Sequence, residues 1–501
     1  MQPTPATAET KKSGLAYWAA RVLEECDKAG ADFGADPVHD LRVAIRRCRS
    51  MADGFLSVDP DPAWKQMKRL AKPLFASLGE LRDTQVMLEW IGKLGEPGDP
   101  LGEELTAALL AKEQTLKAAA QDTLANFDRK HWVSLNAHLA TRTDRVPLEG
   151  LVFQHLALER WMEARELHRR ALRNRSGAAW HQLRIGIKRF RYTVENFLPE
   201  RHEKWSRDLR DLQDALGEVH DFDVLRAMIN GHPRTNGDSH TRWLRRISEE
   251  RQKRLDLYRS RMVGRHTLWD TWRSALPSGT ALDDAGMEKL RTWASFLDPD
   301  PEHTGLVAHL ALELFDGLSH CGISSSGPRD RLILEAAAVL HEVGRSKDID
   351  EHRGGHQKRG QRTVAKLKPP LGWSPIDMQC LAALVRFHRG RLPARNEPAM
   401  AGLDRKRRAE LLRLMGMLRL ANAFDETHGG SVRDLHVSRQ NGAVIINARG
   451  LQPMGREAER VARARYLLET VCRRPIAVRL SMGRQVAHAA AARSKRAARI
   501  S

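Results

Sequence analysis

Two stretches of this chain set cations at the same helical spacing. His39, Arg42, Arg46 and Arg49 fall at i, i+3, i+7 and i+10, and His181, Arg184, Lys188 and Arg191 repeat that spacing in a second segment. On a helix such positions share one face. Guanidinium groups fork onto phosphate oxygens and an ammonium acts as a compact point charge, so a stripe of this kind suits an extended polyanion. Arg47 and Arg189 lie beside the stripes and add to the candidate polyanion-binding set. His39 and His181 donate hydrogen bonds, and the expectation is that they bind more strongly when protonated.

Each stripe needs a helix held in place by its opposite face. That face is apolar in both copies: Leu41, Ile45, Cys48 and Phe55 in the first, Leu183, Ile187, Phe190, Val194 and Phe197 in the second. The repeat continues with Leu78-Gly79-Glu80-Leu81-Arg82-Asp83 and Leu216-Gly217-Glu218-Val219-His220-Asp221. Two homologous helical bundles about a pseudo-two-fold axis are expected. Asp83 and Asp221 read as carboxylates that orient stripe arginines rather than as a catalytic pair. Lys65, Lys68, Arg69 and Lys72 in the first half, and Lys204, Arg207 and Arg210 in the second, extend the cationic field at i, i+3 or i+4 spacing. A plain solvated face explains one such helix, but it gives no reason for the same histidine and arginine positions to recur.

The 501 residues carry 83 Lys and Arg against 63 Asp and Glu, a net charge of +20, which directs attention to phosphate-rich partners. Aromatic residues are sparse, at 6%, and fall mostly at core spacing, which disfavours base stacking. The 5 cysteines form no C-x-x-C pair, and no run approaches the ~18 apolar residues of a membrane span. A reducing, cytoplasmic location with no membrane contact is expected.

The fold expected is all-α: an N-terminal pseudo-two-fold helical bundle, then an HD-like helical domain with a small terminal β-hairpin or sheet. Residues 1–12 read as a disordered N-terminus and 13–275 as the bundle, its halves about 13–145 and 146–275. A linker spans 276–289, the second domain 290–485, and a basic tail 486–501. Strands are expected over 432–437 and 443–446, joined through Gln440-Asn441-Gly442, with a third over 476–480.

The paired His-x-x-Arg-x-x-x-(Arg/Lys)-Arg-x-Arg helices and the Leu-Gly-Glu-x-x-Asp segments resemble the CHAD family, the conserved-histidine α-helical domain, over roughly residues 10–275. The resemblance implies a bundle with internal two-fold symmetry and a basic pore that binds inorganic polyphosphate, often near polyphosphate-metabolising enzymes or granules. It implies His39, Arg42, Arg46, Arg49, His181, Arg184, Lys188 and Arg191 as ligands. The Glu-x-Glu-x-Lys motif of the triphosphate-tunnel domains that accompany many such bundles is absent.

In the second half, His303, His341-Glu342, His356, His388-Arg389 and the run Leu418 to Asp425 resemble an HD-type helical domain. More closely they resemble the C-terminal domain of the exopolyphosphatase and guanosine-pentaphosphate phosphatase family, which helps to bind the polyphosphate chain. Cleavage in that family belongs to an actin-like module, and no Gly-rich phosphate loops alternate with strands in this sequence. An HD metal site uses His, a His-Asp pair and a final Asp. Here Glu342 replaces the paired Asp and Asn422 stands where the last Asp is usual, with Asp425 as substitute, so the candidate metal set is His303, His341, Glu342 and Asp425. His341, His388, Arg389 and Lys358 read instead as structural or anion-contacting residues.

The reading is a polyphosphate binder, leaning away from catalysis, in which the second domain extends the polyanion path. Binding requires no cofactor, and a divalent metal enters only if the HD-like site is active. One alternative is an HD-type metal-dependent phosphohydrolase of polyphosphate or phosphorylated nucleotides. The other is a general nucleic-acid binder.

Overall fold

The computed structural model describes residues 14–232, 237–324, 326–346, 355–394, 396–452, 454 and 456–481. The expectations for residues 1–12 and for the basic tail 486–501 lie outside them. Helix dominates, with one small sheet near the C-terminus. The chain divides into two compact units, residues 1–285 and 286–501.

In the first unit the helices are α1 (Leu15–Asp32), α2 (Ala35–Phe55), α3 (Ala63–Leu70), α4 (Lys72–Leu94), α5 (Pro100–Ala125) and α6 (Arg129–Thr143). They are followed by α7 (Leu151–Asn174), α8 (Gly177–Phe197), α9 (Pro199–Asn230), α10 (Asp238–Met262) and α11 (Leu268–Ser274). The repeat is visible in the packing: α1 lies on α2 as α7 lies on α8, and α4 on α5 as α9 on α10. Across the halves α2 meets α8 and α4 meets α9.

The apolar stripes close these contacts. Leu41, Ile45, Cys48 and Phe55 are buried, as are Leu183, Ile187, Phe190, Val194 and Phe197, and each large side chain so buried stabilises by roughly 1.5–3 kcal/mol. Phe153 stacks on Phe197 with ring centroids 4.2 Å apart, and Phe55 meets Phe197 edge-on at 5.6 Å. A second core joins Met87, Ile91 and Leu105 of one half to Phe222, Leu225 and Ile247 of the other. Local signals fix where the helices begin: the Ser176 hydroxyl accepts from Ala179 N at 3.2 Å to start α8, and Pro199 opens α9.

The expected linker is shorter than the 276–289 read from its Pro, Ser and Gly. Helix α12 (Thr280–Ser295) begins directly after Gly279, whose φ of 55° ends the break, because Ala281 and Leu282 already resume a helix-forming run. The second unit continues with α13 (Pro301–His320), α14 (Pro328–Leu340), α15 (His356–Val364), α16 (Pro375–Phe387) and α17 (Arg405–Ala423). Then come β1 (Asp434–Gln440), β2 (Ala443–Arg449), α18 (Arg456–Cys472) and β3 (Ile476–Ser481). β1 and β2 pair antiparallel and β3 joins β2 in parallel. Asn441 and Gly442 both adopt positive φ, 48° and 81°, as a tight hairpin turn requires.

One glycine is needed for close approach. A 3-10 turn at Val343–Arg345 packs on α15, and a Cβ on Gly344 would run into His356 O and Gly360 N, both backbone atoms. Gly344→Ala is therefore expected to destabilise the second unit by about 3 kcal/mol, the upper end of overpacking costs. Its melting transition should fall by roughly 6–12 °C in calorimetry. Gly305→Ala, on the open face of α13 where a Cβ meets nothing within 4 Å, should instead stabilise by about 0.5–1 kcal/mol.

Candidate functional site

Arg46 and Arg49 of the α2 stripe face a cavity of about 600 Å³ against α8, whose own stripe residues His181, Arg184, Lys188 and Arg191 do not line it. Arg46, Arg49, Arg160, Arg189 and Lys68 line it, with Phe75 and Tyr192, and Asp53 is the one carboxylate in its wall. Arg49 and Lys68 also border a second cavity of about 440 Å³, whose other walls are Pro62, Lys65, Arg69 and Lys72. The two shared residues make the basic surface continuous from the α2/α8 contact out over α3.

The arginines are held in place. Arg42 Nη1 donates to Phe75 O at 3.0 Å and Arg49 Nη1 to Lys68 O at 2.9 Å. Both guanidinium groups also lie over the Phe75 ring, 4.7 and 5.1 Å from its centroid, and Arg46 lies 5.7 Å from that of Tyr192. The aromatic faces of the cavity are thus taken up by arginine. Glu163 holds Arg160 at 3.1 Å and Arg189 at 2.7 Å, and Lys68 pairs with Asp53. Phe75 escaped the sequence reading. Its signal was weak: it sits in an amphipathic helix one residue off the buried Leu74 and Leu78.

Deeper in, Arg42 and Arg46 of one half meet Arg184 and Lys188 of the other, with Asp83 and Asp221 beside them. The Leu-Gly-Glu glycines open this space: a Cβ on Gly79 would lie 2.9 Å from Arg42 Nη1, and one on Gly217 4.0 Å from Arg184 Nε. Burial brings Arg42 down to about 10 and, with Arg184 and Arg46 alongside, Lys188 down to about 7. Burial raises Asp221 to about 6 against the pull of Arg184 and a hydrogen bond from Trp90. Asp83 and Asp221 accordingly sit as counter-charges to arginines of both repeats.

His39 and His181, expected to bind more strongly when protonated, both have a lowered pKa. His181 meets His220 at 3.2 Å between Nδ1 atoms, and desolvation, then Arg184 and Lys188, lower its pKa. His39 stays on the surface, yet desolvation of its ring, then Arg82 and Arg46, lower it too. Desolvation first and the neighbouring cations second favour the neutral ring in both. Arg82 and His220 occupy equivalent places in the two repeats.

Other expected residues lie elsewhere. Arg47 turns away to Glu195 and to Asn196 Oδ1, 3.3 Å away, and Arg191 pairs with Glu195 at 3.8 Å. Lys204, Arg207 and Arg210 are exposed on α9 and line neither cavity. Asp208, Asp211, Asp214 and Glu218 interrupt that helix, with Asp208 and Glu218 paired to Arg261 and Arg254.

In the second unit, helix ends converge. His303 lies in the first turn of α13, His341 and His388 cap the C-termini of α14 and α16, and His356 opens α15. Glu342 is buried among them. His303 Nε2 lies 3.3 Å from His341 Nε2, and Glu342 Oε1 lies 3.8 Å from His341 Nε2 and 3.6 Å from the Nε2 atoms of His356 and His388. Burial pushes His341 and His388 to about 3 and His356 to about 4, so these rings are neutral at pH 7. Of the set His303, His341, Glu342 and Asp425, three converge. Asp425 stands behind: its Oδ2 accepts from His303 Nδ1 at 2.8 Å and its Oδ1 from Gly430 N at 2.8 Å. Asn422 Oδ1 lies 3.3 Å from His303 Nε2. A cavity of about 290 Å³ reaches His388 and Asn422 and is walled by Arg389, Arg419, Arg460, Arg463 and Glu426.

These features define a helical protein in which one unit duplicates a cation-lined helix pair and the other gathers histidines at helix ends. The family model of the CHAD domain matches residues 15–230, and that of Ppx/GppA phosphatase, domain III, matches residues 289–447. Residues 15–230 are thus similar to a CHAD domain and residues 289–447 to domain III of Ppx/GppA phosphatase. Among solved structures it is similar to the CHAD domain from the plant Ricinus communis, at 20% identity over 52% of this chain and 91% of that one, with a TM-score of 0.36. No curated protein matches. The two domains together point to a polyphosphate-related function. Among the described residues no helix is long and apolar enough to cross a membrane.

Proposed function

We propose that the CHAD unit binds inorganic polyphosphate in the cavity between α2 and α8, with the chain leaving over α3. The observation that carries this reading is the continuity of the two cavities through Arg49 and Lys68, which places Arg46, Arg49, Arg189, Lys65, Lys68, Arg69 and Lys72 along one surface. A polyanion that spans it meets arginines already braced by backbone carbonyls and aromatic rings, so little side-chain entropy is lost on binding. Arg47 and Arg191 brace the bundle through Glu195. Lys204, Arg207 and Arg210 contribute only to the long-range field. The cytoplasm, and granules or enzymes that handle polyphosphate, are the surroundings this role implies.

Nucleic acid is the weaker candidate, because two guanidinium groups already lie over Phe75 and compete with a base for it. At fixed salt, labelled polyphosphate bound to the full chain should resist DNA, RNA and free nucleotide at equal phosphate concentration. At least tenfold more nucleic-acid phosphate should be needed for half displacement. Equal displacement would leave only a general polyanion surface.

A further inference from the structure

We infer that His309, Glu313 and Asp434 form a surface site for one divalent cation of the zinc class, where α13 lies along β1. His309 and Glu313 are one turn apart on α13, at i and i+4, so their side chains stand side by side. Asp434 opens β1. His309 Nε2 is 3.4 Å from Glu313 Oε1 and 3.8 Å from Asp434 Oδ1, and one ligand atom from each of the three residues falls within 4.8 Å of the other two. A tetrahedral site with bonds of about 2.1 Å has ligand-to-ligand edges of roughly 3.4 Å. The two edges from His309 are near that length. The two carboxylates repel each other, and a cation held between them draws them together onto the third edge.

The fold sets these donors in place without help from a cation. Gly317, one turn beyond Glu313, lets β1 come close to the helix: a Cβ there would lie 2.6 Å from Val437 Cβ. Residues 309, 313 and 317 thus follow one line along the strand, meeting Asp434, Leu435 and Val437 in turn. Glu313 Oε2 accepts from Leu435 N at 2.6 Å, and Oε1 is the oxygen turned to His309. Arg449, paired with Asp434 across β1 and β2, donates to Asp434 Oδ2 at 3.4 Å, and Oδ1 is the oxygen turned to His309. Each carboxylate is therefore oriented through the oxygen that the cation does not use, as supported metal ligands are. Two carboxylates match the charge of a dication, and the imidazole nitrogen selects zinc over calcium and magnesium, which take oxygen donors. His309 and Asp434 are half-exposed, so the fourth position is open to water. The guanidinium group of Arg449 opposes a cation, and a proton on His309 is the metal-free way to serve both carboxylates, so the experiment must separate the two.

Full-length protein stripped with chelator is treated with diethylpyrocarbonate, which acylates accessible imidazole nitrogens, with and without micromolar Zn²⁺. Peptide mass spectrometry reads each histidine separately. The inference expects zinc to slow acylation of His309 at least tenfold and to leave His320, exposed at the end of the same helix, unchanged. Asp434→Asn keeps the side-chain shape and should abolish the protection. In equilibrium dialysis one zinc equivalent per chain should be lost in both His309→Ala and Asp434→Asn and retained in Glu342→Gln, which distinguishes this site from the histidines gathered at the helix ends. Glu313 is left intact because it also accepts from Leu435. The two substituted side chains lie at the surface, so both variants should keep the parent melting profile in chelator. Equal acylation of His309 with and without zinc, protection that persists in Asp434→Asn, or undiminished zinc uptake in either variant would each overturn the inference. None of these readouts depends on polyphosphate binding.

Discussion

Reversing two cavity cations, Arg46→Glu with Arg189→Glu, is expected to weaken polyphosphate binding by at least 100-fold at about 0.1 M salt, or about 2.7 kcal/mol. Both side chains line the α2/α8 cavity, one from each repeat. Each substitution removes a guanidinium fork and adds a carboxylate next to the bound phosphate, so the loss exceeds that of neutral truncation. The bundle should survive. Arg46 is tethered only by its approach to Tyr192, and the surface ion pair of Arg189 with Glu163 contributes at most about 1 kcal/mol. Fluorescence anisotropy with labelled polyphosphate checks the affinity, and thermal melting checks the fold. Wild-type affinity in a folded double variant would sink the cavity assignment.

A triple reversal, Lys204→Glu with Arg207→Glu and Arg210→Glu, separates the local site from the general field. It changes net charge by more than the double variant does, yet these residues lie on α9 among Asp208, Asp211 and Asp214 and outside both cavities. Charge acting at a distance is screened within about 10 Å at 0.1 M salt. The triple variant should therefore lose less affinity than the double variant, and the gap should widen as salt is raised.

That asymmetry also marks how far the sequence could be read. The stripes and the apolar faces behind them were legible because helical period is a local property, and the same holds for the duplication and for the Asn441-Gly442 hairpin. The pairing of Lys65, Lys68, Arg69 and Lys72 with Lys204, Arg207 and Arg210 as equivalent binding sets was not secure. Spacing matches cations to cations, but it does not say which carboxylates share their face or which cavity they border. The direction of the histidine pKa shifts was not legible for a related reason. Desolvation is the first cause that lowers His39 and His181, with Arg82 second for His39 and Arg184 second for His181; the degree of burial and the approach of Arg82 from α4 come only from the fold, whereas Arg184 shares the stripe of His181.

The second domain shows the same limit at helix ends. His303, His341, His356 and His388 are scattered over α13 to α16, and their convergence depends on which terminus of each helix points inward. Asp425 looked like a ligand because one turn of spacing carries it near Asn422. Its oxygens each accept one hydrogen bond, from His303 and from Gly430. Hydrogen bonds of this kind orient the carboxylate, and no count of residues in a sequence records that.

Lys188 lines neither cavity, but it is coupled to Arg46, which does, so on the proposed binding mode its substitutions should pull stability and ligand binding apart. Its amine is pushed from the ordinary lysine range down to about 7 by burial first, then by Arg184 and Arg46. Between about 7 and 10.5 the unfolded chain holds a proton on this amine that the folded chain does not. Stability from this group therefore falls as pH drops through that window and is level below about 7. Bound phosphate reverses the preference, because a nearby anion favours the ammonium. Polyphosphate affinity should consequently rise as pH falls from about 9 to 7, with uptake of close to one proton per binding event. His39, His181 and His220 titrate below that window, as does Asp221 at about 6, and Arg42, at about 10, lies above the pH 9 to 7 range in which affinity is read, so the slope in that range belongs to Lys188. Lys188→Met should raise the stability of the CHAD unit at pH 7 by about 1–3 kcal/mol, as replacement of buried charge by apolar volume does, while weakening polyphosphate binding about tenfold. Lys188→Arg keeps its charge throughout and should bind with a flat pH profile. Melting curves and binding isotherms across pH 6.5–9 check both, and an unchanged slope in Lys188→Met would assign the proton to another group.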